Sequence, residues 1–96
     1  MPKRTEPPRL AVIRGQAAGR TFDFEAEIIG LSPREAYLVT NSDPVHKVTL
    51  RVRDQGSVLG GRPSTTCAFE WDGVYISLAT YKVADDGTIF IQPEDD

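Results

Sequence analysis

Pro44-Val-His-Lys-Val-Thr-Leu-Arg-Val-Arg-Asp54 alternates without a break from residue 47 onward. Val48, Leu50 and Val52 fall on one side and Lys47, Thr49, Arg51 and Arg53 on the other, the period-two pattern of a strand with one buried face. Burying three such aliphatics contributes about 1.5–3 kcal/mol each, and polar or cationic side chains standing in water opposite them cost little. The stretch therefore reads as a core strand, and the rest of the chain has to supply its sheet.

Downstream, Cys67, Phe69 and Trp71 alternate up to Asp72-Gly73, a two-residue hairpin signal, and Val74, Ile76 and Leu78 are expected to face inward on the return. Residues 81–83 and 88–91 flank Asp85-Asp86-Gly87 in the same manner. Between these and the core strand, Asp54-Gln-Gly56 reads as a tight turn and residues 57–59 as a brief strand, ended by Gly60-Gly61-Arg-Pro63. Upstream, Pro7 and Pro8 hold the chain extended ahead of a strand at residues 10–14. Gly15-Gln-Ala-Ala-Gly19 places a glycine at each end of a reversal, and two short strands, 20–24 and 26–29, separate near Glu25. Ser32-Pro33-Arg34-Glu35 has the residue types of a capping box, but Tyr37-Leu38-Val39-Thr40 is aromatic and β-branched, and Asn41-Ser42-Asp43-Pro44 is turn chemistry. One helical turn at most fits there, followed by a short strand. Regular short runs between turn residues indicate an all-β sandwich or small barrel.

Ninety-six residues, 40% hydrophobic and 26% charged, make one domain, read as residues 9–92 between a flexible tail at 1–8 and an acidic tail at 93–96. The net charge of -3 argues against nucleic acid as a partner, since phosphate binding draws on a basic excess. Charge is unevenly spread: Lys3, Arg4, Arg9, Arg14 and Arg20 stand against Glu6 near the start, and Asp85, Asp86, Glu94, Asp95 and Asp96 lie at the end, as solubilising termini. A single cysteine, Cys67, precludes an internal disulfide. No apolar run approaches the ~20 residues that cross a bilayer, and no leader pattern opens the chain, so a cytoplasmic protein without a membrane segment in this chain is expected.

No catalytic, cofactor or metal site is expected, and no enzyme. His46 and Cys67 are the only histidine and cysteine, and a thiolate–imidazole pair would draw on both. Cys67 alternates with Phe69 and Trp71 as a core residue does, and His46 stands where a turn meets a strand and hydrogen-bonds backbone. Zinc asks for four ligands of this kind. Asp43, Asp54, Asp72, Asp85 and Asp86 sit in turns, where carboxylates satisfy local N–H groups. The glycine-rich stretches lack the lysine and hydroxyl of a phosphate loop. What stands out is basic: Lys47, Arg51 and Arg53 form a stripe on the outer strand face, with Arg34 added as a test position, suited to an acidic protein segment or a nucleic-acid backbone.

Residues 10–24, Leu-Ala-Val-Ile-Arg-Gly-Gln-Ala-Ala-Gly-Arg-Thr-Phe-Asp-Phe, continuing to Ile28-Ile29-Gly30, resemble the opening of forkhead-associated domains. Asp43-Pro44-Val45-His46 occupies the place of that family's Ser-Arg-x-His, and Asp86-Gly87-Thr88-Ile89 looks like its terminal Asp-Gly strand signal. The resemblance implies a β-sandwich of short antiparallel strands that binds protein. It also implies loss of phosphothreonine reading, because Leu31 stands where the family has an arginine, Asp43 and Pro44 replace the Ser-Arg pair, and Leu59 precedes Gly60. Degenerate domains of this kind are similar to the cytoplasmic domain of type III secretion inner-membrane-ring proteins, which implies a scaffold module assembled into a larger complex. The expectation is a non-enzymatic interaction module; the alternative is a small stand-alone phage or mobile-element protein, either a virion component or an inhibitor of a host enzyme.

Overall fold

The computed structural model describes residues 10–53 and 65–94. The alternating stretch forms strand β4 (Lys47–Val52), with Val48, Leu50 and Val52 buried and Lys47, Arg51 and the following Arg53 exposed. Its neighbours are the strands on either side in sequence, and the same holds all round the molecule. β1 (Leu10–Ala17), β2 (Arg20–Leu31), β3 (Glu35–Thr40), β4, β5 (Thr65–Trp71), β6 (Val74–Val83) and β7 (Ile89–Glu94) run as an antiparallel meander. With an odd number of alternating strands, the first and last point the same way, so β1 and β7 pair in parallel and shut the sheet into a closed barrel.

The all-β expectation holds, and the two facing sheets of a sandwich give way to this closed barrel. The physical reason lies in β2 and β6. Residues 20–24 and 26–29 belong to one continuous strand of 12 residues, and residues 74–83 to one of 10. β2 carries β1 along residues 20–27 and β3 along 26–31, and β6 carries β5 along 74–81 and β7 along 78–83, so each long strand joins its two neighbours into one staggered sheet and does not break into short strands of two separate sheets. Register shifts at Ile28/Gly30 and at Phe69/Glu70 supply the local coiling that closure needs. The second shift has a further effect. Beyond it the inward parity of β6 is reversed, so Ser77, Ala79 and Tyr81 are buried and Ile76 and Leu78 half-buried; Val74, on the hairpin side of the shift opposite Trp71, is exposed. The inward positions that alternation predicts on β6 therefore fall one out of step, because an inserted residue leaves no mark in an alternating sequence.

The bore is filled by large and small side chains in alternation. Phe22, Phe69, Trp71, Leu38, Leu50, Ile13, Ile89 and Ile91 meet Ala11, Ala17, Ala26, Ala36 and Ala79, all buried. Closure itself depends on Gly15: a Cβ there would overlap the carbonyl oxygen of Pro93 and stand 2.9 Å from its Cδ. Pro93 is buried in β7, which continues to Glu94 opposite Gln16.

Among the described residues there is no helix, and so none long and apolar enough to cross a membrane. The residues expected to start a helical turn do make the capping contact, with the Glu35 N–H donating to Ser32 Oγ at 3.2 Å, but Ser32 N–H also donates to the Glu35 carbonyl at 2.9 Å. The result is a tight β2–β3 turn, and the β-branched run after it goes straight into β3. The brief strand expected at residues 57–59 lies outside the described residues.

Candidate functional site

The four cations singled out in the sequence are all exposed, and the fold divides them. Arg51 stands at the centre of the outer face of β3–β4–β5. Its Nη1 is 2.9 Å from Glu35 Oε2 on β3 and its Nε is 3.2 Å from Glu70 Oε2 on β5. Register explains the contact: Glu35 lies directly opposite Arg51, and Glu70 lies one pair along, opposite Thr49. Arg34 and Arg53 gather at one end of the strand, where the Val52 N–H donates to the Arg34 carbonyl at 2.9 Å. Lys47 is at the other end, roughly 13 Å from Arg51 by the rise of a strand. The stripe is thus an arginine held by two carboxylates, a pair of arginines beyond it, and a distant lysine.

Two tyrosines flank the held arginine. Tyr37, Thr49, Glu70 and Tyr75 form one row across β3, β4, β5 and β6, and both tyrosines are exposed on the outer surface. The Tyr37 hydroxyl donates to Glu35 Oε1 at 2.5 Å. That bond, with some burial and the negative charge of Glu35, raises the phenol's pKa above its ordinary value, against an opposing effect of Arg51. Neither tyrosine stands out in the sequence. The signal that finds them is register, since alternating positions on four strands align only once the pairing is known.

A second cluster closes the barrel end where β4 begins and β5 turns into β6. The Phe22 ring meets Phe69 edge-on at 5.2 Å and Trp71 at 5.0 Å, and the Arg20 guanidinium lies over Phe22 at 5.1 Å and near Trp71 at 5.9 Å. Outside these, the His46 imidazole stacks on Trp71 with centroids 4.7 Å apart. Asp72 and Gly73 both have positive φ, 53° and 86°, the conformation of a two-residue hairpin turn of the kind the Asp-Gly pair favours. This turn aims the Asp72 carboxylate back at β4: Oδ1 accepts the Lys47 N–H at 2.9 Å, and Oδ2 lies 2.7 Å from His46 Nδ1. The Asp72 N–H in turn donates to the Lys47 carbonyl at 2.7 Å. These bonds, the one from Lys47 first and that from His46 second, hold the Asp72 carboxyl below the ordinary carboxylate range.

An imidazole oriented through Nδ1 by a carboxylate is one half of an acid–base pair. The other half is elsewhere: Cys67 is buried in the core, four residues along β5 from Trp71 and so roughly 13 Å from the ring that His46 stacks on. A shallow depression beside Arg20, lined by Gln16, Ala17, Gly19 and Thr21, holds no titrating group besides that arginine. Among the described residues no three His, Cys, Asp or Glu side chains gather as a metal site. The chain matches no protein-family model, no curated protein and no solved structure.

Proposed function

We propose that this domain is a non-enzymatic protein-interaction or scaffold module that meets its partner through the outer face of β3, β4, β5 and β6. The observation that carries this reading is Arg51, whose guanidinium is fixed by Glu35 and Glu70, with the exposed Tyr37 and Tyr75 in the adjacent row of the same face. Tyrosine and arginine are the residue types that concentrate binding energy at protein interfaces, and an arginine already ordered loses less rotamer freedom on binding than a mobile one.

The charge at the centre of this face is one cation between two carboxylates, so the centre suits neutral polar and aromatic groups of a partner. An acidic portion of that partner meets Arg34 and Arg53 at the end of β4. The resemblance to forkhead-associated domains contributes the class, a small β domain docking within a larger assembly such as a secretion apparatus. Asp43 and Pro44, at the place of the phosphate-reading pair, weigh against phosphopeptide binding.

The test is affinity capture with the immobilised chain from an extract of the source cells, comparing wild type with Arg51→Ala and with Tyr37→Ala/Tyr75→Ala. Loss of the same captured protein in both variants, with thermal midpoints showing folded protein, supports the reading. Capture at wild-type levels by both variants removes this face from consideration.

A further inference from the structure

We propose that the opposite side of the barrel, the outer face of β7, β1 and β2, docks a cationic amphipathic segment of a partner protein. This goes beyond the Arg51 surface, whose central strand β4 lies three places from β1 round the barrel. The face combines two features set side by side by register. Phe90 on β7 pairs with Val12 on β1, and Leu10 stands two residues along the same outer side. Phe90 is 45% exposed and Leu10 47%, with Val12 half-buried between its neighbours, so they form a short apolar strip and not scattered side chains.

Directly beside the strip, β2 presents Asp23, Glu25 and Glu27 outward at alternate positions. Val12 pairs with Glu25 and Leu10 with Glu27, so each carboxylate borders an apolar side chain. Asp23 is met by Arg14 on β1, Nε to Oδ1 3.2 Å. Glu25 and Glu27 have no cationic partner among the described residues. Across the strip, Lys82 on β6 pairs with Phe90. Among the described residues the sequence of chemistries around the barrel is therefore a cation, an apolar strip and two carboxylates without a cationic partner.

Two carboxylates on one strand face stand roughly 7 Å apart, close to the ~6 Å between side chains one turn apart on a helix. A helical segment with lysines or arginines at that spacing along one edge and leucine-type residues beside them places its charges on Glu25 and Glu27 while covering Phe90, Val12 and Leu10. An acidic segment meets repulsion there, and a purely apolar one leaves both carboxylates at the edge of a dry contact without a counter-charge.

The experiment is fluorescence anisotropy of a labelled 14-residue amphipathic leucine–lysine peptide titrated with the full chain, beside a leucine–glutamate peptide of the same pattern. The lysine peptide binds, the glutamate peptide does not, and Glu25→Gln/Glu27→Gln and Phe90→Ser each weaken binding by about fivefold or more. The glutamine pair also flattens the dependence on salt. Comparable binding of the glutamate peptide, or retention within about twofold by both variants, overturns the proposal. So does tighter peptide binding on Lys3→Gln/Arg4→Gln, which assigns the face to the chain's own basic segment, or a concentration-dependent dimer abolished by Phe90→Ser, which assigns it to a second copy. Arg51→Ala leaves the titration unchanged, so failure of the Arg51 surface and failure of this one are read separately.

Discussion

The imidazole of His46 lies against the indole of Trp71, centroids 4.7 Å and planes 29° apart, and this contact joins the β3–β4 loop to the β5–β6 hairpin. Asp72 locks the pair from the hairpin side by taking both His46 Nδ1 and the Lys47 N–H. The loop between the two strands is thereby held to the barrel at its end without adding a strand.

Asp72→Asn keeps the turn, because asparagine tolerates the left-handed φ of 53°, and removes the charge. The carboxyl is held below its ordinary value in the folded state, so the stability it contributes is fully present above the unfolded carboxyl range and is lost as pH falls through the lowered folded value. Thermal melts should show wild type above the variant at pH 6, with the gap narrowing as pH falls below the ordinary carboxyl value of about 4. A gap independent of pH across that range removes the charge from the account.

Gly15→Ala tests closure. The added methyl would run into the Pro93 carbonyl oxygen, a backbone atom that moves only if β7 shifts away from β1. Urea unfolding should register about 2–4 kcal/mol of lost stability, with amide exchange fastest along β1 and β7. Gly19→Asn is the control. Gly19 has φ 73° and nothing within 4 Å of where a Cβ would stand, so the substitution meets only backbone strain of about 1 kcal/mol.

The Tyr37–Glu35 bond is readable by ultraviolet titration of the phenol, with Tyr37→Phe identifying its contribution. Glu35→Gln removes the largest cause of the raised value and should bring the Tyr37 ionisation down toward that of free tyrosine, whereas Arg51→Ala removes an opposing charge and should move it further up. Shifts in the same direction for both variants would contradict the arrangement of Arg51 between its two carboxylates.

Much of the fold is legible in the sequence because alternation and turn chemistry are local. Pattern alone places Val48, Leu50 and Val52 inward, as it does Cys67, Phe69 and Trp71, and the Asp72-Gly73 hairpin follows from its two residue types. Closure is not legible, since it depends on residues nearly eighty positions apart: Ala11 against Ile89 and Gly15 against Pro93. The bulge at Phe69/Glu70 is silent for a related reason, because only the partner strand reveals an extra residue. At the candidate site the exposure of Lys47, Arg34, Arg51 and Arg53 is readable. The capture of Arg51 by Glu35 and Glu70 is not, for those three residues meet only across three paired strands.

Thr40 carries the remaining test of how the β3–β4 loop is held. It is buried, and its hydroxyl oxygen accepts the His46 N–H at 2.8 Å while lying 2.6 Å from Ser42 Oγ. Ser42 Oγ donates to the Pro44 carbonyl at 2.9 Å, so the Thr40 hydroxyl is the donor to Ser42 and the proton order runs from the His46 amide to the Pro44 carbonyl. Thr40→Val preserves shape and volume but leaves the His46 N–H without an acceptor and Ser42 Oγ without a donor. The expected loss is about 1–3 kcal/mol, the cost of burying such groups unsatisfied. Thr40→Ser restores the hydroxyl and gives up one methyl, about 1 kcal/mol. Equilibrium unfolding should rank wild type above Thr40→Ser above Thr40→Val, and the valine variant should also broaden the His46 ring signals by loosening the loop that stacks it on Trp71. Equal stability of valine and wild type would mean that the backbone bond from Thr40 N–H to the His46 carbonyl, 3.0 Å, holds the loop without the hydroxyl chain.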